Sequence, residues 1–518
     1  MNIGKGYRLN PLVLALISVV TWSCKTTQEE KKKPNVLFIM TDDHSLQTFS
    51  AYDNRFIETP NLDRIGQEGV IFRNSFVSNS ICAPSRAVML TGKHSHKNGQ
   101  INNSVSFDGR QMTFPKLLRE SGYQTSLIGK WHLNSLPTGF DNYEVLVGQG
   151  DYYNSSFITN GDTLPSQGYV TNVITDKSID WLEGRDPDKP FCLLVHHKAT
   201  HRIWQPDTAL FHLFKEDVFE VPESFFDSYE GRQAAAEQRM SIANDMDLVY
   251  DLKLLDEEGD IQTQYRRYYE TIIAKMTPEQ RQAWDKEYDP VIADFKARKL
   301  KGKELAVYKY QRYMQDYLRC VTSVDNNVGR LLDYLEEKGE LDNTLIVYTS
   351  DQGFYMGEHG WFDKRFMYEQ SLRTPLVMRY PNLIQPKTQL HQLVQNIDYA
   401  PTFLEVAGLT VPDELQGKSL VPLFKDEDAE WRDAIYYHYY EYPNEHMVKR
   451  HYGVRTGRYK LIHFYNDIDA WELYDLVDDP NEMVNLYDHP AMLPVIIKLK
   501  KQLTALQAQY DDTDRSTY

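Results

Sequence analysis

In the stretch Asn35-Val36-Leu37-Phe38-Ile39-Met40-Thr41-Asp42-Asp43, a continuous apolar run stops abruptly at two carboxylates. A run without polar alternation is the pattern of a strand covered on both faces, as inside a parallel sheet. Three later segments repeat the design. Gln124-Thr-Ser-Leu-Ile-Gly129 runs into Lys130-Trp131-His132, and Phe191-Cys-Leu-Leu-Val195 runs into His196, His197 and then His201. Leu345-Ile-Val-Tyr-Thr349 runs into Ser350-Asp351-Gln352-Gly353. Helical spacing lies between them, for example over 113–121 and 325–338. Strands alternating with helices predict an α/β fold with a large, doubly wound mixed sheet flanked by helices. Ligands of such sheets bind beyond the carboxyl ends of the strands, so four strands ending in charged or imidazole groups point to one site.

Outward from this core, residues 230–319 turn rich in Gln, Glu, Lys, Arg and Tyr and read as a mostly helical insertion on one flank. After about 434 the pattern changes again. Short aromatic or β-branched runs at 435–442, 452–456, 459–465 and 472–476, then helical spacing over 493–510, predict a small antiparallel sheet with a closing helix. No internal repeat is visible. The expected organisation is a leader over 1–33, a catalytic domain over 34–433 and a C-terminal subdomain over 434–518.

The leader reads as an export signal. Lys5 and Arg8 precede the apolar run 12–20, which is shorter than the ~20 residues a membrane-spanning helix needs. Thr-Trp-Ser-Cys24 resembles the end of a lipoprotein signal, and the polar stretch 25–33 suits a flexible tether. The expectation is an exported protein of the periplasm or cell surface, lipid-anchored at Cys24 and touching the membrane in no other way. The alternative is a simple cleaved signal that discards Cys24.

Hydrophobic residues make up 41% of the 518 and charged ones 25%, ordinary for a globular protein, and the 35 tyrosines hint at carbohydrate-facing surfaces. Losing residues 1–23 would remove Lys5 and Arg8 and no acid, deepening the formal charge from −17 to −19. So acidic a chain is no general nucleic-acid binder, and attraction of an anionic substrate falls to a local basic pocket. Four cysteines (Cys24, Cys82, Cys192 and Cys320) are too few for a disulfide framework. Cys192, inside an apolar run, reads as an inert buried thiol.

Cys82-Ala83-Pro84-Ser85-Arg86-Ala87-Val88-Met89-Leu90-Thr91-Gly92 is different. Over all eleven positions it resembles the signature of the sulfatase family, with Met89 where Leu is frequent. In that family the cysteine is oxidised to formylglycine by a maturation enzyme that reads the Pro and Arg. The resemblance runs from Pro34 to the Glu472-Leu-Tyr-Asp-Leu476 and Asp479-Pro-Asn-Glu482 stretches and implies the alkaline phosphatase superfamily fold. It maps metal ligands onto Asp42, Asp43, Asp351 and Gln352, with Cys82 beside them, and sulfate-pocket residues onto Arg86, Lys130, His132, His201 and Lys364. Gln352 departs from a frequent Asn but keeps an amide oxygen.

Elementary chemistry agrees with those roles. Three carboxylates and an amide oxygen form a hard site suited to Ca2+, with Mg2+ as the alternative. Arg86, Lys130 and Lys364 offer donors to the three oxygens over which a sulfate ester spreads its charge. Arg365 is the rival to Lys364. The resemblance implies a two-step mechanism. One hydroxyl of the hydrated aldehyde, activated by the metal and Asp351, attacks sulfur while His201 protonates the departing alcohol. The other hydroxyl, relieved of its proton by His132, then expels sulfate.

The segments Lys198-Ala-Thr-His201-Arg202, Ser350-Asp-Gln-Gly-Phe-Tyr-Met-Gly-Glu-His-Gly360 and Trp361-Phe-Asp-Lys-Arg365 resemble the branch containing N-acetylglucosamine-6-sulfatases. The implied substrate is a terminal 6-O-sulfated N-acetylglucosamine of heparan or mucin type, with sugar contacts from the C-terminal lobe, His451 first and Arg450 second. The rivals are a sulfatase for uronate 2-sulfate or galactose 6-sulfate, a phosphonate or phosphate diester hydrolase of the same superfamily, and a silent glycan-binding lipoprotein.

Overall fold

The computed structural model describes Gly4, Gly6 and residues 32–254 and 263–513, so Cys24 and its leader lie outside the described residues. From Lys33 onward the chain forms one compact unit. Its strands are β1 (Asn35–Thr41), β2 (Val70–Phe72), β3 (Ser75–Phe76), β4 (Gln124–Gly129), β5 (Asn142–Leu146), β6 (Ser156–Thr159), β7 (Asp162–Pro165) and β8 (Phe191–His196). They continue with β9 (Thr344–Ser350), β10 (Leu376–Arg379), β11 (Thr388–Leu390), β12 (Val394–Gln395), β13 (Ala434–Tyr439), β14 (His451–Thr456), β15 (Tyr459–Phe464) and β16 (Ala470–Asp475).

Ten of them make one mixed sheet in the order β11-β2-β10-β9-β1-β8-β4-β5-β6-β7. The run that opened the argument, β1, is central and parallel to both neighbours, and each of its residues is buried. Its alternate side chains enter two separate cores. Leu37 and Ile39 face Leu193, Val195, Ile346 and Tyr348 on one side. Val36, Phe38 and Met40 face Cys192, Leu194, Leu345 and Val347 on the other. Two helical layers close these faces. The helix Gly302–Glu337 buries Tyr313, Tyr317, Val324 and Leu331 in the first core, and the helix Cys82–Thr91 buries Ala83, Ala87 and Met89 in the second.

Register, more than strand identity, positions the site. Met40 pairs with His196, His196 with Gly129, and Thr41 with Ser350, so four strands end level. Gly129, at φ +110, lets β4 close on β8, because a Cβ there would collide with the His196 carbonyl. The Lys130 amide then donates to that carbonyl at 2.7 Å.

The expected insertion divides differently. Residues 230–254 hold one short helix, Gln233–Ala236, and otherwise turns, because Asp245, Asp247 and Asp251 accept backbone N–H groups that a helix would need. Helices follow at Thr263–Ile273 and Pro278–Arg298. The boundary near 319 falls inside the 36-residue helix Gly302–Glu337, which is buried at every position from Arg312 to Val321 and so runs through the core across that point.

The small sheet β13-β14-β15-β16 is antiparallel throughout, and the helix Leu493–Gln509 covers one face with Ile496, Leu499 and Leu503. The other face, with Ile435, Tyr437, Ile462 and Phe464, packs on Phe76, Ile81, Trp361 and Phe366 of the larger layer. Tyrosine richness has a structural use here. Tyr313, Tyr317, Tyr348 and Tyr437 are fully buried, and three of these hydroxyls donate to main-chain carbonyls.

Candidate active site

The pivot is the loop after β1. Asp42 and Asp43 are fully buried, and Asp43 holds a left-handed backbone at φ +67. That conformation is uncommon for a residue with a Cβ and needs support. Tyr317 of the long helix donates to the Asp43 carbonyl at 2.6 Å, Thr200 Oγ1 donates to it at 2.8 Å, and the Thr200 amide donates to the Asp42 carbonyl at 2.8 Å. The end of β9 meets this loop, where the Asp43 amide donates to Asp351 Oδ1 at 3.1 Å.

Carboxylate oxygens of Asp42, Asp43 and Asp351 can all lie within 4.8 Å of one another. Burial pushes Asp43 up to about 6, Lys364 opposes this, and Asp351 adds to it. Gln352 reaches Asp43 through Nε2, and its buried Oε1 has no hydrogen-bond partner among the described residues. Three clustered carboxylates with a spare amide oxygen fit a hard divalent cation in both donor type and number.

Cys82 opens its helix and is buried, with its thiol 3.4 Å from Asp42 Oδ1 and 3.8 Å from Gln352 Nε2. Burial raises this thiol to about 12, against the pull of Lys364. A thiol that stays protonated at neutral pH is a poor thiolate nucleophile, so an unmodified Cys82 is badly placed for cysteine chemistry. One turn on, Arg86 donates to Asp351 Oδ2 through Nε at 3.0 Å and to the Lys130 carbonyl at 2.7 Å.

Lys130 pairs with Asp42, and burial drives its pKa well below that of a free lysine. Lys364 pairs with Asp43 at 2.7 Å; burial pulls it down, but Asp363 and Asp43 prevail and its pKa is raised. Arg365, the rival, points elsewhere, to Glu441 at 3.2 Å and Asp363 at 3.3 Å. His201 Nε2 lies 3.9 Å from Asp43 Oδ2, with Nδ1 2.6 Å from the Arg202 carbonyl oxygen. His201, Asp42 and Cys82 also form a close group. His132 has a left-handed backbone at φ +56, with Nε2 2.9 Å from Gln149 Nε2. Burial holds both imidazoles well below their usual pKa and hence neutral, and nearby cations reinforce it. The ten positions that the sequence pointed to (Asp42, Asp43, Cys82, Arg86, Lys130, His132, His201, Asp351, Gln352 and Lys364) thus converge beyond the ends of β1, β4, β8 and β9.

Of the two sugar-contact expectations, His451 needs correction. His451 is fully buried in β14, where Nε2 accepts from the Met367 amide at 3.0 Å and Nδ1 lies 2.8 Å from the Lys449 carbonyl oxygen. Both ring nitrogens are used by the backbone, so it ties the small sheet to the segment after Lys364. Arg450 donates to the Tyr440 and Tyr442 carbonyls and to Asp467 at 2.7 Å, a local tie within the lobe. Residues the sequence did not single out as site groups stand beside it instead. Lys198 is buried, burial lowers it to about 8, and its ammonium lies 5.0 Å over the Tyr152 ring. Asp363 holds Arg365 and His446, the latter at 3.2 Å. For Lys198 and Asp363 the available signal was their place, three residues before His201 and next to Lys364; for Gln149, 17 residues from His132, there was none.

A family model described as Sulfatase matches residues 34–409, and one described as N-sulphoglucosamine sulphohydrolase, C-terminal, matches 357–509. The chain is 50% identical over 511 residues to an N-acetylglucosamine-6-O-sulfatase of Bacteroides thetaiotaomicron, an alignment covering 97% of this chain and 91% of the relative. A solved structure, described as a complex with its substrate D-glucosamine-2-N,6-O-disulfate, is 51% identical and superposes with a TM-score of 0.90, covering 93% of this chain and 99% of that one. A phosphonate monoester hydrolase of Agrobacterium radiobacter shares the fold at a TM-score of 0.68 and 21% identity, over 92% of this chain and 96% of its own. The signature around Cys82, the buried cation-and-carboxylate cluster and these matches together make the chain a member of the sulfatase family, a hydrolase of sulfate esters.

Proposed function

We propose that the protein removes 6-O-sulfate from glucosamine units of a sulfated glycan, N-acetylglucosamine 6-sulfate first among them, with residue 82 as formylglycine and Ca2+ on Asp42, Asp43, Asp351 and Gln352. The observation that carries this is the seat of Cys82, buried against Asp42 inside a ring formed by Arg86, Lys130, Lys364 and His201. The substrate reading is supported by the half-identical relative's name and by the glucosamine disulfate named for the solved complex. The cation would supply a fixed positive charge beside the reacting oxygens, and formylglycine a hydrated aldehyde as nucleophile. The remaining work belongs to this chain's own groups. Arg86, Lys130 and Lys364 hold the sulfate oxygens and stabilise charge that moves onto them. His201, whose Nδ1–H is held by the Arg202 carbonyl, takes up a second proton at Nε2 as the anionic ester binds and gives it to the departing sugar oxygen, and His132 takes one from residue 82.

The protein acts outside the cytoplasm in this proposal, matured by a formylglycine-generating enzyme and tethered through Cys24. Among the described residues no helix is long and apolar enough to cross a membrane, and the proposed anchor is a lipid. The test is sulfate release from 6-sulfated N-acetylglucosamine, glucosamine N,6-disulfate, 6-sulfated galactose, 6-sulfated N-acetylgalactosamine, a 2-sulfated unsaturated uronide and an aryl phosphodiester. The first two should be cut fastest. Faster turnover of a galactose, galactosamine or uronate sulfate would overturn the substrate, and faster turnover of the phosphodiester the reaction.

A further inference from the structure

Gln149 sits on the loop between β5 and β6, one strand beyond the loop after β4 that carries His132 and 17 residues from it in sequence. Its side-chain Nε2 nevertheless lies 2.9 Å from His132 Nε2. The loop is fastened from outside. Lys198 Nζ donates to the Gln149 carbonyl at 3.2 Å, Lys275 pairs with Asp151 at 2.5 Å, and the Asp151 amide donates to Ser155 Oγ at 3.1 Å. Two buried atoms at this contact have no hydrogen-bond partner among the described residues, Gln149 Oε1 and His132 Nδ1.

A terminal amide turned by 180° presents either its N–H or its oxygen with nearly the same heavy-atom geometry, so the contact can run in two senses. In one, Gln149 donates to Nε2 and the neutral imidazole carries its proton on Nδ1. In the other, Nε2–H donates to Gln149 Oε1 and Nδ1 keeps a lone pair. The charged groups that act most strongly on this ring, Lys130, Arg86, Lys364 and Lys198, are all cations. Their field favours a lone pair over an N–H dipole on the nitrogen that Gln149 does not engage. Only that sense leaves His132 able to accept a proton.

We infer that Gln149 is a positioning residue, one that fixes the His132 ring in the Nε2–H tautomer and so reserves Nδ1 as the atom that receives a proton from residue 82. The inference rests on the reading of His132 as the base. The proton leaves an oxygen of residue 82 and arrives on Nδ1; the resulting imidazolium keeps its other N–H on Gln149 Oε1, so no group is left charged and unpaired at that end. Lys198 acts through the loop, holding the Gln149 main chain rather than touching the ring.

The test has two arms. In unmatured protein labelled with 15N-histidine and supplied with Ca2+, the His132 resonances, assigned by their loss in His132→Asn, should report the Nε2–H tautomer. Gln149→Leu should move them toward the other tautomer. A wild-type ring protonated on Nδ1 overturns the inference whatever the enzyme cleaves. In matured protein, Gln149→Leu should lose roughly 10- to 100-fold in kcat with little change in KM. Gln149→Glu keeps an acceptor and adds a negative charge that raises the His132 pKa, so it should recover much of kcat while the ascending limb of its pH profile moves to higher pH. Equal losses in both variants with an unmoved profile overturn the inference. A wild-type enzyme that releases sulfate from none of the sugars tested would instead remove the functional reading, and the tautomer measurement would still decide the role of Gln149.

Discussion

Two clusters of buried charge lie on either side of the segment that carries Lys364, and they are built to opposite ends. Under the small sheet, Lys460 is fully buried between Glu369 at 2.9 Å and Glu482 at 2.7 Å, while Arg455 pairs with Glu369 at 3.2 Å and donates to the Thr456 carbonyl at 2.8 Å. Two acids meet two bases, and each has partners. Beyond β1 and β9, Asp42, Asp43 and Asp351 also pair with Arg86, Lys130 and Lys364, yet Gln352 Oε1 and His132 Nδ1 beside them have no hydrogen-bond partner among the described residues. Leaving buried polar atoms unmatched is costly, and native proteins do it where something else is to be bound. The saturated cluster is architecture and the unsaturated one is a site.

The largest expected effect lies at the centre of the unsaturated cluster. Cys82→Ala should lower kcat by roughly 10⁴-fold or more, since it removes the group on which the others act, while leaving the denaturation midpoint nearly unchanged. Peptide mass analysis of matured protein should show Cys82 lighter by about 18 Da as the aldehyde. An active Cys82→Ala enzyme would break the assignment of this cluster. Next comes the proposed cation. Removing it with a strong chelator should abolish turnover and lower the thermal midpoint, because three neighbouring carboxylates lose their compensation, and adding Ca2+ back should restore both. Turnover that survives chelation, with no metal in elemental analysis, would make Asp42, Asp43 and Asp351 a merely structural group.

A matched pair of substitutions tests the contrast itself. Lys130→Met should cost about 10²- to 10³-fold in kcat with little loss of stability, since it relieves a desolvated ammonium while Arg86, at 3.8 Å, still faces Asp42. Lys460→Met should do the reverse, destabilising by about 3–5 kcal/mol because Glu482 is left buried and unpaired, with kcat of the folded fraction unchanged. Urea titration beside a kinetic assay reads both. If the two variants behave alike, the distinction between saturated and unsaturated charge has no value here.

Much of this was legible before any coordinates, for a physical reason. Runs such as Val36–Met40 and Leu345–Thr349 specify strands buried on both faces, and chemistry placed at the end of such a strand must emerge at the sheet's carboxyl edge. Local patterns therefore fixed the positions of Asp42, Lys130, His201 and Asp351. Lys364 followed from family resemblance alone, because it lies on an irregular segment with no period to read. His451 misled because an exposed-looking histidine in a β-rich lobe gives no sign of which backbone groups it will satisfy; that depends on the approach of β14 to the segment around Met367. The Gln149–His132 contact is invisible to sequence for the same reason, since it joins two loops through tertiary register. The insertion was misjudged at 230–254 because aspartates that support turns have the same composition as a charged helix.

His201 gives a smaller effect that separates chemistry from positioning. A sugar alkoxide is a poor leaving group and needs its proton, whereas an activated aryl oxide does not. His201→Ala should therefore lose about 10- to 100-fold more activity on 6-sulfated N-acetylglucosamine than on an aryl sulfate. Equal losses would leave His201 as a group that only orients the sulfate.

The smallest expected effect returns to the small sheet, at a carboxyl that sits outside the saturated quartet. Glu472 of β16 is fully buried between the Tyr368 and Tyr474 hydroxyls, each at 2.8 Å, and among the described residues no cation forms an ion pair with it. Burial raises it to about 7, against the lowering effect of the two tyrosines and Arg232. The folded form therefore holds this proton more tightly than the unfolded chain, whose glutamate titrates near 4.3. The sign follows from that. The stabilisation is fully present below the unfolded value and is lost as pH rises through about 7. Between pH 5 and pH 8 this one residue should erode stability by up to about 3 kcal/mol, an upper bound set by the size of the shift. Glu472→Gln keeps the shape and one acceptor but has no proton to lose, so its denaturation midpoint should fall less steeply with pH and exceed that of the wild type at pH 8. Activity should not change, because Glu472 belongs to the packing of the lobe and not to the converging ends of β1, β4, β8 and β9. A midpoint that tracks the wild type across this range would show that Glu472 is ionised in the folded protein. The small sheet would then hold an uncompensated charge, and the contrast between its saturated buried charges and the open site would fail there.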